Sequence, residues 1–145
     1  MSEIQLFLIA HAAGRSIAIS AAHVDSVVDI GPIIPVPRAS ALVRGLSALR
    51  SRVVTVIDTV AALGIVSDEA RGTRAVITQV DGHYYAMLVD ALDDVAPFEP
   101  KPLASGIPLS QSWQSAACGV IERDGEPILV IDPAALIPGA PSLAA

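Results

Sequence analysis

Few side chains in this sequence could do chemistry. Three histidines and one cysteine occur in 145 residues. His11, His23 and His83 stand far apart, and neither among themselves nor with Cys118 do they show the close ligand pairs of a metal site. Cys118 has no second cysteine to bond, and a lone thiol on a strand is expected to act as a small buried apolar group. An Asp-Thr pair opens one known acid–base motif, but that chemistry needs a glycine turn after the threonine, and Val60 follows Thr59 here. Asp58 is better placed as a cap, its carboxylate taking the orphan N–H groups of a helical turn that begins at Thr59. Neither a Gly-x-Ser-x-Gly elbow nor a phosphate-binding glycine loop occurs. The expectation is a protein without catalytic residues, metal or cofactor, and not an enzyme.

Composition supports a binding role. Apolar residues make up 52% of the chain and charged residues 17%, which is a folding composition. Aromatics are only 3%, so the core must come from Val, Ile, Leu and Ala. Branched β-carbons favour pleated strands. The net charge of −6, with no basic stripe, argues against nucleic acid as a partner. The apolar run Val53–Val66 is broken by Thr55, Asp58 and Thr59 and is shorter than the ~18 residues of a membrane span. No Lys or Arg precedes Arg15, so the positive end of a secretory signal is missing. A cytoplasmic protein without direct membrane insertion is expected.

The elements that must position any site are short strands. Gln5–Ala10 and Arg15–Ser20 flank Ala12-Ala13-Gly14. Thr73–Val80 and His83–Asp90 flank Asp81-Gly82, while Cys118–Arg123 and Pro127–Asp132 flank Asp124-Gly125; Asp-Gly tolerates the positive φ of a tight hairpin. Single helical turns are expected near Ala39–Arg44, at Thr59–Leu63 and at Pro133–Ile137, with Asp132 capping the last and Pro133 at its first position. Trp113, in the polar stretch Ser110–Ser115, is expected to pack as a lid over the apolar interior.

The two halves echo each other. Ile17-Ala18-Ile19 and Val24-Asp25-Ser26-Val27 resemble Tyr85-Ala86-Met87 and Leu92-Asp93-Asp94-Val95. The offset is 68 residues from Ala18 to Ala86 and again from Val27 to Val95. Ile34-Pro35-Val36-Pro37 resembles Glu99-Pro100-Lys101-Pro102. Val56-Ile57-Asp58 resembles Val130-Ile131-Asp132, 74 residues on. Three matches in order imply two similar β units.

One block is more specific than these hairpins. Gly45, Leu46, Leu49, Arg50, Val53, Val54, Val56, Asp58, Leu63 and Gly64 stand where the CheW family of bacterial chemotaxis adaptors has Gly-Leu-Ile-Asn-Leu-Arg-Gly, Val-Val-Pro-Val-x-Asp-Leu and a short helix ending Leu-Gly. Ile34–Pro37, Met87–Val95 and Cys118–Leu136 extend the resemblance from about Leu6 to Pro138. Two positions depart: Ala48 replaces the Asn, and Ser51 replaces the Gly after the Arg. A glycine at 51 could take positive φ freely, where serine would be strained. Ser26 stands where the family often carries an acidic residue.

The resemblance implies a mainly β, CheW-like fold: two five-stranded SH3-like β-barrel subdomains with a few short helices. Residues 1–145 would form a single domain, with subdomain 1 at about 15–66 and subdomain 2 at about 73–138, and a strand exchanged at the N-terminus. It implies a non-enzymatic adaptor that couples chemoreceptors to the histidine kinase CheA in signal transduction. The expected partners are the receptor's cytoplasmic tip and the regulatory domain of CheA, met at receptor arrays by a protein that is a monomer in isolation. Val24, Val27, Gly45, Leu46 and Arg50 are the residues expected at the receptor; Asp58 and Asp132 are expected to be structural caps. The alternatives are an adaptor of a non-flagellar pathway, for type IV pili or developmental signalling, or a regulatory β-barrel that binds a small molecule between its subdomains.

Overall fold

The computed structural model describes residues 4–37, 42–64, 72–102 and 116–137. Trp113 lies outside them, as does most of Ile65–Arg74, where the sequence places the crossover between the two subdomains. Ten strands follow in order: β1 (Gln5–Ala12), β2 (Arg15–Ser20), β3 (Ser26–Asp29), β4 (Val43–Leu49), β5 (Arg52–Ile57), β6 (Arg74–Val80), β7 (His83–Leu88), β8 (Ala91–Phe98), β9 (Ala117–Arg123) and β10 (Glu126–Ile131). Helix α1 is the single turn Thr59–Ala62, and 3-10 turns cover Ala21–His23 and Pro133–Leu136. Where a helical turn was expected at Ala39–Arg44, Val43 and Arg44 are already strand, because β4 pairs with β5 from Val43 onward.

The strands form two five-stranded sheets. Sheet A runs β8-β1-β2-β10-β9 and sheet B runs β3-β6-β7-β5-β4. The sheets and the halves of the sequence do not coincide. Hairpin β1–β2 joins three strands of the second half, with Ile17 paired in parallel to Leu129. Hairpin β6–β7 joins three strands of the first half, with Tyr85 paired in parallel to Thr55. Two hairpins thus change places: sheet A takes residues 5–20 while sheet B takes residues 74–88. Each sheet maps on the other strand for strand.

Three apolar layers follow from this. Leu8, Ile17, Ile57, Val76, Met87 and Ile131 are buried between the sheets. Val54, Val56, Ile77 and Leu88 fill the concave side of sheet B. Phe7, Ile9, Ile121 and Ile128 fill that of sheet A. Strands buried on both faces cannot alternate apolar with polar, which is why β6 reads Ala75-Val76-Ile77 without a break. Each fully buried Ile or Leu contributes about 1.5–3 kcal/mol of transfer free energy.

The helical turns are capped alike. The Asp58 carboxylate accepts the Ala61 N–H at 3.1 Å, and that of Asp132 accepts the Ala134 N–H at 3.1 Å. The Asp58 and Asp132 amides donate in turn to the carbonyls of Leu42 (2.8 Å) and Ala116 (2.9 Å). The Ile34 and Lys101 segments are equivalent too, as each forms one antiparallel bridge, to Leu46 and to Val120.

Two expectations need correction. A proline is expected at a sheet edge or as the first residue of a strand, yet Pro127 is the second residue of β10, an inner strand; its missing N–H is tolerated because only Leu129 and Val130 pair with β2. Cys118 is exposed, since β9 is the edge of sheet A.

Candidate functional site

The hairpin β4–β5 carries the most unusual backbone. Ala13-Gly14, Asp81-Gly82 and Asp124-Gly125 all have positive φ at both turn residues, the pattern of a type I′ hairpin. In the fourth two-residue loop, Arg50 has φ 60° and Ser51 is not in the positive region. Serine at 51 thus escapes the strain expected of it, and the positive φ rests on Arg50 alone. A long side chain there is held off the strand, exposed, and has no carboxylate at salt-bridge distance among the described residues.

Arg50 and Ser51 meet the start of β3. With Asp25, Ser26, Val28, Leu49, Arg52 and Ile77 they line a cavity of about 130 Å³. Val28 and Leu49 belong to the two edge strands of sheet B, so the sheet curls until its edges face each other. The cavity floor is Ile77, and the rim carries the two guanidinium groups. Arg52 stacks over the Tyr84 ring at 3.9 Å, a cation–π contact.

The other expected residues separate into distinct places. Val24 precedes β3, caps the 3-10 turn Ala21–His23 and packs half-buried against the inter-sheet core. Val27 lies on β3, 36% exposed, opposite Val76. Paired residues share a face, so Val27 borders the inter-sheet side while Val28 faces sheet B's own interior. Asp29 and Val27 share the exposed face of β3, and Ser26 shares that of Val28. Arg50 is therefore brought to Ser26 and Val28, and Val27 lies round the strand from it.

Gly45 is buried and contributes no surface. Its φ is 144°, and a Cβ there would lie 2.3 Å from the Ile34 carbonyl oxygen and 2.9 Å from Ile33 Cγ2. Its role is to let residues 33–34 cross β4, where Ile34 and Leu46 exchange hydrogen bonds of 2.8 and 2.9 Å. Leu46 then lies between Ile34 and Thr55 in one row, with the pair Ala48–Val53 alongside. Ile34 is 69% and Val53 62% exposed, so this row is an apolar strip on the outer face of sheet B. Ile34 and Val53 both stand in the family pattern but were not expected at a surface, and Val53, read as part of a core strand, faces outward. The signal was present at Val53, whose neighbours Val54 and Val56 are buried, so that strand alternation turns it outward.

A second polar cluster joins the edges of sheet A. Asp93 Oδ2 on β8 accepts from Arg123 Nη1 on β9 at 2.7 Å and lies 3.0 Å from His11 Nε2. Ser16 Oγ is 3.2 Å from His11 Nδ1. Arg123 first, and His11 second, hold the Asp93 carboxyl below the usual carboxylate range. This cluster was not legible, as its members come from four strands. The arginine takes up the same carboxylate oxygen that faces the histidine, so the cluster reads as a seam. Among the described residues no group of His, Cys, Asp and Glu could hold a metal ion, and no helix is long and apolar enough to cross a membrane.

The likeness to known proteins covers nearly the whole chain. The model of the CheW-like domain matches residues 6–140. Chemotaxis protein CheW of Thermotoga maritima is 24% identical over 118 residues, covering 81% of this chain and 78% of that protein. The crystal structure of scaffolding protein TtCheW from Thermoanaerobacter tengcongensis shares the fold at a TM-score of 0.77 and 20% identity, with 90% of each chain covered.

Proposed function

The chain belongs to the CheW-like domain family, and from that premise we propose that it is a cytoplasmic, non-enzymatic adaptor that holds a chemoreceptor's cytoplasmic tip and the regulatory domain of the kinase CheA at once. The observation that carries this reading is the presence of two separate exposed surfaces on sheet B, which is what a connector needs. One is the corner made by Val27 and Arg50, with Val24 behind it. The other is the strip Ile34–Leu46–Val53.

A receptor tip is a helical hairpin, and the corner suits it. Val27 offers an apolar edge at the inter-sheet side. Arg50 offers a guanidinium that can stack on aliphatic surface and donate to helix-end carbonyls together. The strip suits the kinase domain, since it is apolar, exposed and runs from the edge strand β4 onto β5. Leu46 is thereby moved from the receptor to the kinase side. Gly45 acts behind both, by keeping Ile34 on β4.

Co-purification with a receptor signalling fragment and with the CheA regulatory domain tests the reading. Arg50→Glu is expected to weaken receptor binding by about tenfold or more and to leave kinase binding within about twofold. Val53→Lys is expected to do the reverse. Wild-type protein that captures neither partner would overturn the adaptor reading. Loss of the same partner in both variants would overturn the two-surface arrangement alone.

A further inference from the structure

At the end of sheet A where β1 begins and β2 ends, the chain leaves a cavity of about 420 Å³. Its floor is Phe7 and Val130, two members of the core on that side of the sheet. Its polar lining includes Gln5, His23 and Lys101, and among the described residues no carboxylate lines it. Lys101 holds its place through its backbone, which exchanges hydrogen bonds of 2.8 and 2.9 Å with Val120. Its ammonium group has no ion pair among the described residues, and it stands in a chain of net charge −6.

The crossing segment lies farther from its strand here than at the equivalent place in sheet B. There the crossing segment sits so close that a Cβ on Gly45 would be 2.3 Å from the Ile34 oxygen, with Ile33 alongside. The matching Cβ on Gly119 would be 3.1 Å from the Lys101 oxygen. Arg44, the counterpart of Cys118, reaches back to Asp58 at 3.9 Å. Cys118 is too short to do so, and the space stays open. Cavities of ~300–1,000 Å³ with an apolar floor and a few convergent polar groups are the usual size for small ligands.

We propose that this cavity binds a small amphipathic anion, a carboxylate with a short aliphatic or aromatic body, whose apolar part lies on Phe7 and Val130 and whose charge meets Lys101 and His23. The proposal is independent of the adaptor reading. An anion is favoured because the acidic chain repels anions elsewhere, and the cavity is a local exception.

Cys118 lines the cavity and supplies a reporter. Burial, and after it the nearby Asp132, raise its thiol pKa, so its alkylation is slow and easily followed in mildly alkaline buffer. The full chain is treated with iodoacetamide in the presence of octanoate, acetate or octanol, and labelling of Cys118 is timed by mass spectrometry. Octanoate is expected to slow labelling saturably by about fivefold, with acetate and octanol much weaker at equal concentration. Lys101→Glu, at an exposed position that folding does not need, is expected to raise the octanoate concentration for half-protection by about tenfold or more. No protection up to on the order of 10 mM octanoate would overturn the site. Equal protection by octanol would overturn the anion, and equal protection in Lys101→Glu would overturn the placement of its charge. Amide shifts on octanoate addition give a second reading. They are expected at Gln5, His23, Lys101 and Gly119, and shifts centred elsewhere would count against the cavity.

Discussion

Sheet A and sheet B are the same arrangement of strands built with different side chains. At the tip of sheet B stand Arg50-Ser51-Arg52; at that of sheet A stand Asp124-Gly125-Glu126. Across the seam of sheet A, Asp93 and Arg123 bond at 2.7 Å; in sheet B, Asp25 and Leu49 occupy those places and line an open cavity. The concave core of sheet A contains Phe7, Ile121 and Phe98, where sheet B has Ala75, Ser47 and Ile30. The Ser47 hydroxyl is buried without a hydrogen-bond partner among the described residues. Caps and crossing bridges are alike in both. Strand pairing and helix capping thus constrain both copies equally, while tips, seams and core volume are free to differ. Sheet B has the smaller side chains at these core places and the open seam, and it carries both proposed partner surfaces.

That contrast can be broken most sharply at the two glycines under the crossing segments. Gly45→Ala places a methyl against a backbone oxygen at 2.3 Å in a φ region that alanine resists, whereas at Gly119 the oxygen is at 3.1 Å. Urea denaturation is expected to show a loss of about 3 kcal/mol or more for Gly45→Ala and about 1 kcal/mol for Gly119→Ala. Similar losses would mean that the two crossings are equally tight. Core filling comes next. Ile121→Ala is expected to cost about 2–4 kcal/mol, as for other buried aliphatic truncations. Ser47→Ala, at the matching place, is expected to be neutral or stabilising by about 1 kcal/mol, because it removes a buried hydroxyl with no partner. A large loss from Ser47→Ala would show that the hydroxyl is satisfied.

The seam gives the smallest effect, and it depends on pH. Asp93 has its pKa lowered in the folded protein, chiefly by Arg123 and then by His11. A lowered pKa means that the unfolded chain binds the proton more readily, so stability rises with pH through this range. The contribution is complete above the ordinary carboxylate pKa and is lost as pH falls through the folded value below it. Asp93→Asn should therefore be less stable than wild type near neutrality, and the gap should close in strong acid. A gap that persists at the lowest pH would point to packing rather than charge.

How much of this was legible depends on the range of the interactions. The Asp-Gly hairpins, the caps at Asp58 and Asp132 and the internal repeat were readable, since each is set by residues a few positions apart. The tip Arg50 was readable through the family pattern. The strip at Ile34 and Val53 was not, because Ile34 reaches Leu46 only after the chain crosses β4. Val24 stands with Val27 where the family resemblance implies one receptor-facing strand, yet the backbone turns at Ala21–His23 and β3 begins only at Ser26. Exposure of Cys118 was equally hidden, as apolar neighbours on a strand do not say whether that strand is an edge.

Local chemistry alone determined the strands of the three turn-flanked hairpins, their turns and the caps at Asp58 and Asp132, because φ preferences, branched side chains and carboxylate–amide geometry act within a few residues. The reciprocal exchange of hairpins β1–β2 and β6–β7 was decided only in three dimensions. So were the seam that unites His11, Asp93 and Arg123, the opening at Lys101, and the meeting of Arg50 with Ser26 and Val28. Each of these needs strands distant in sequence to curl onto one another, and only burial of the shared core between the sheets brings them there.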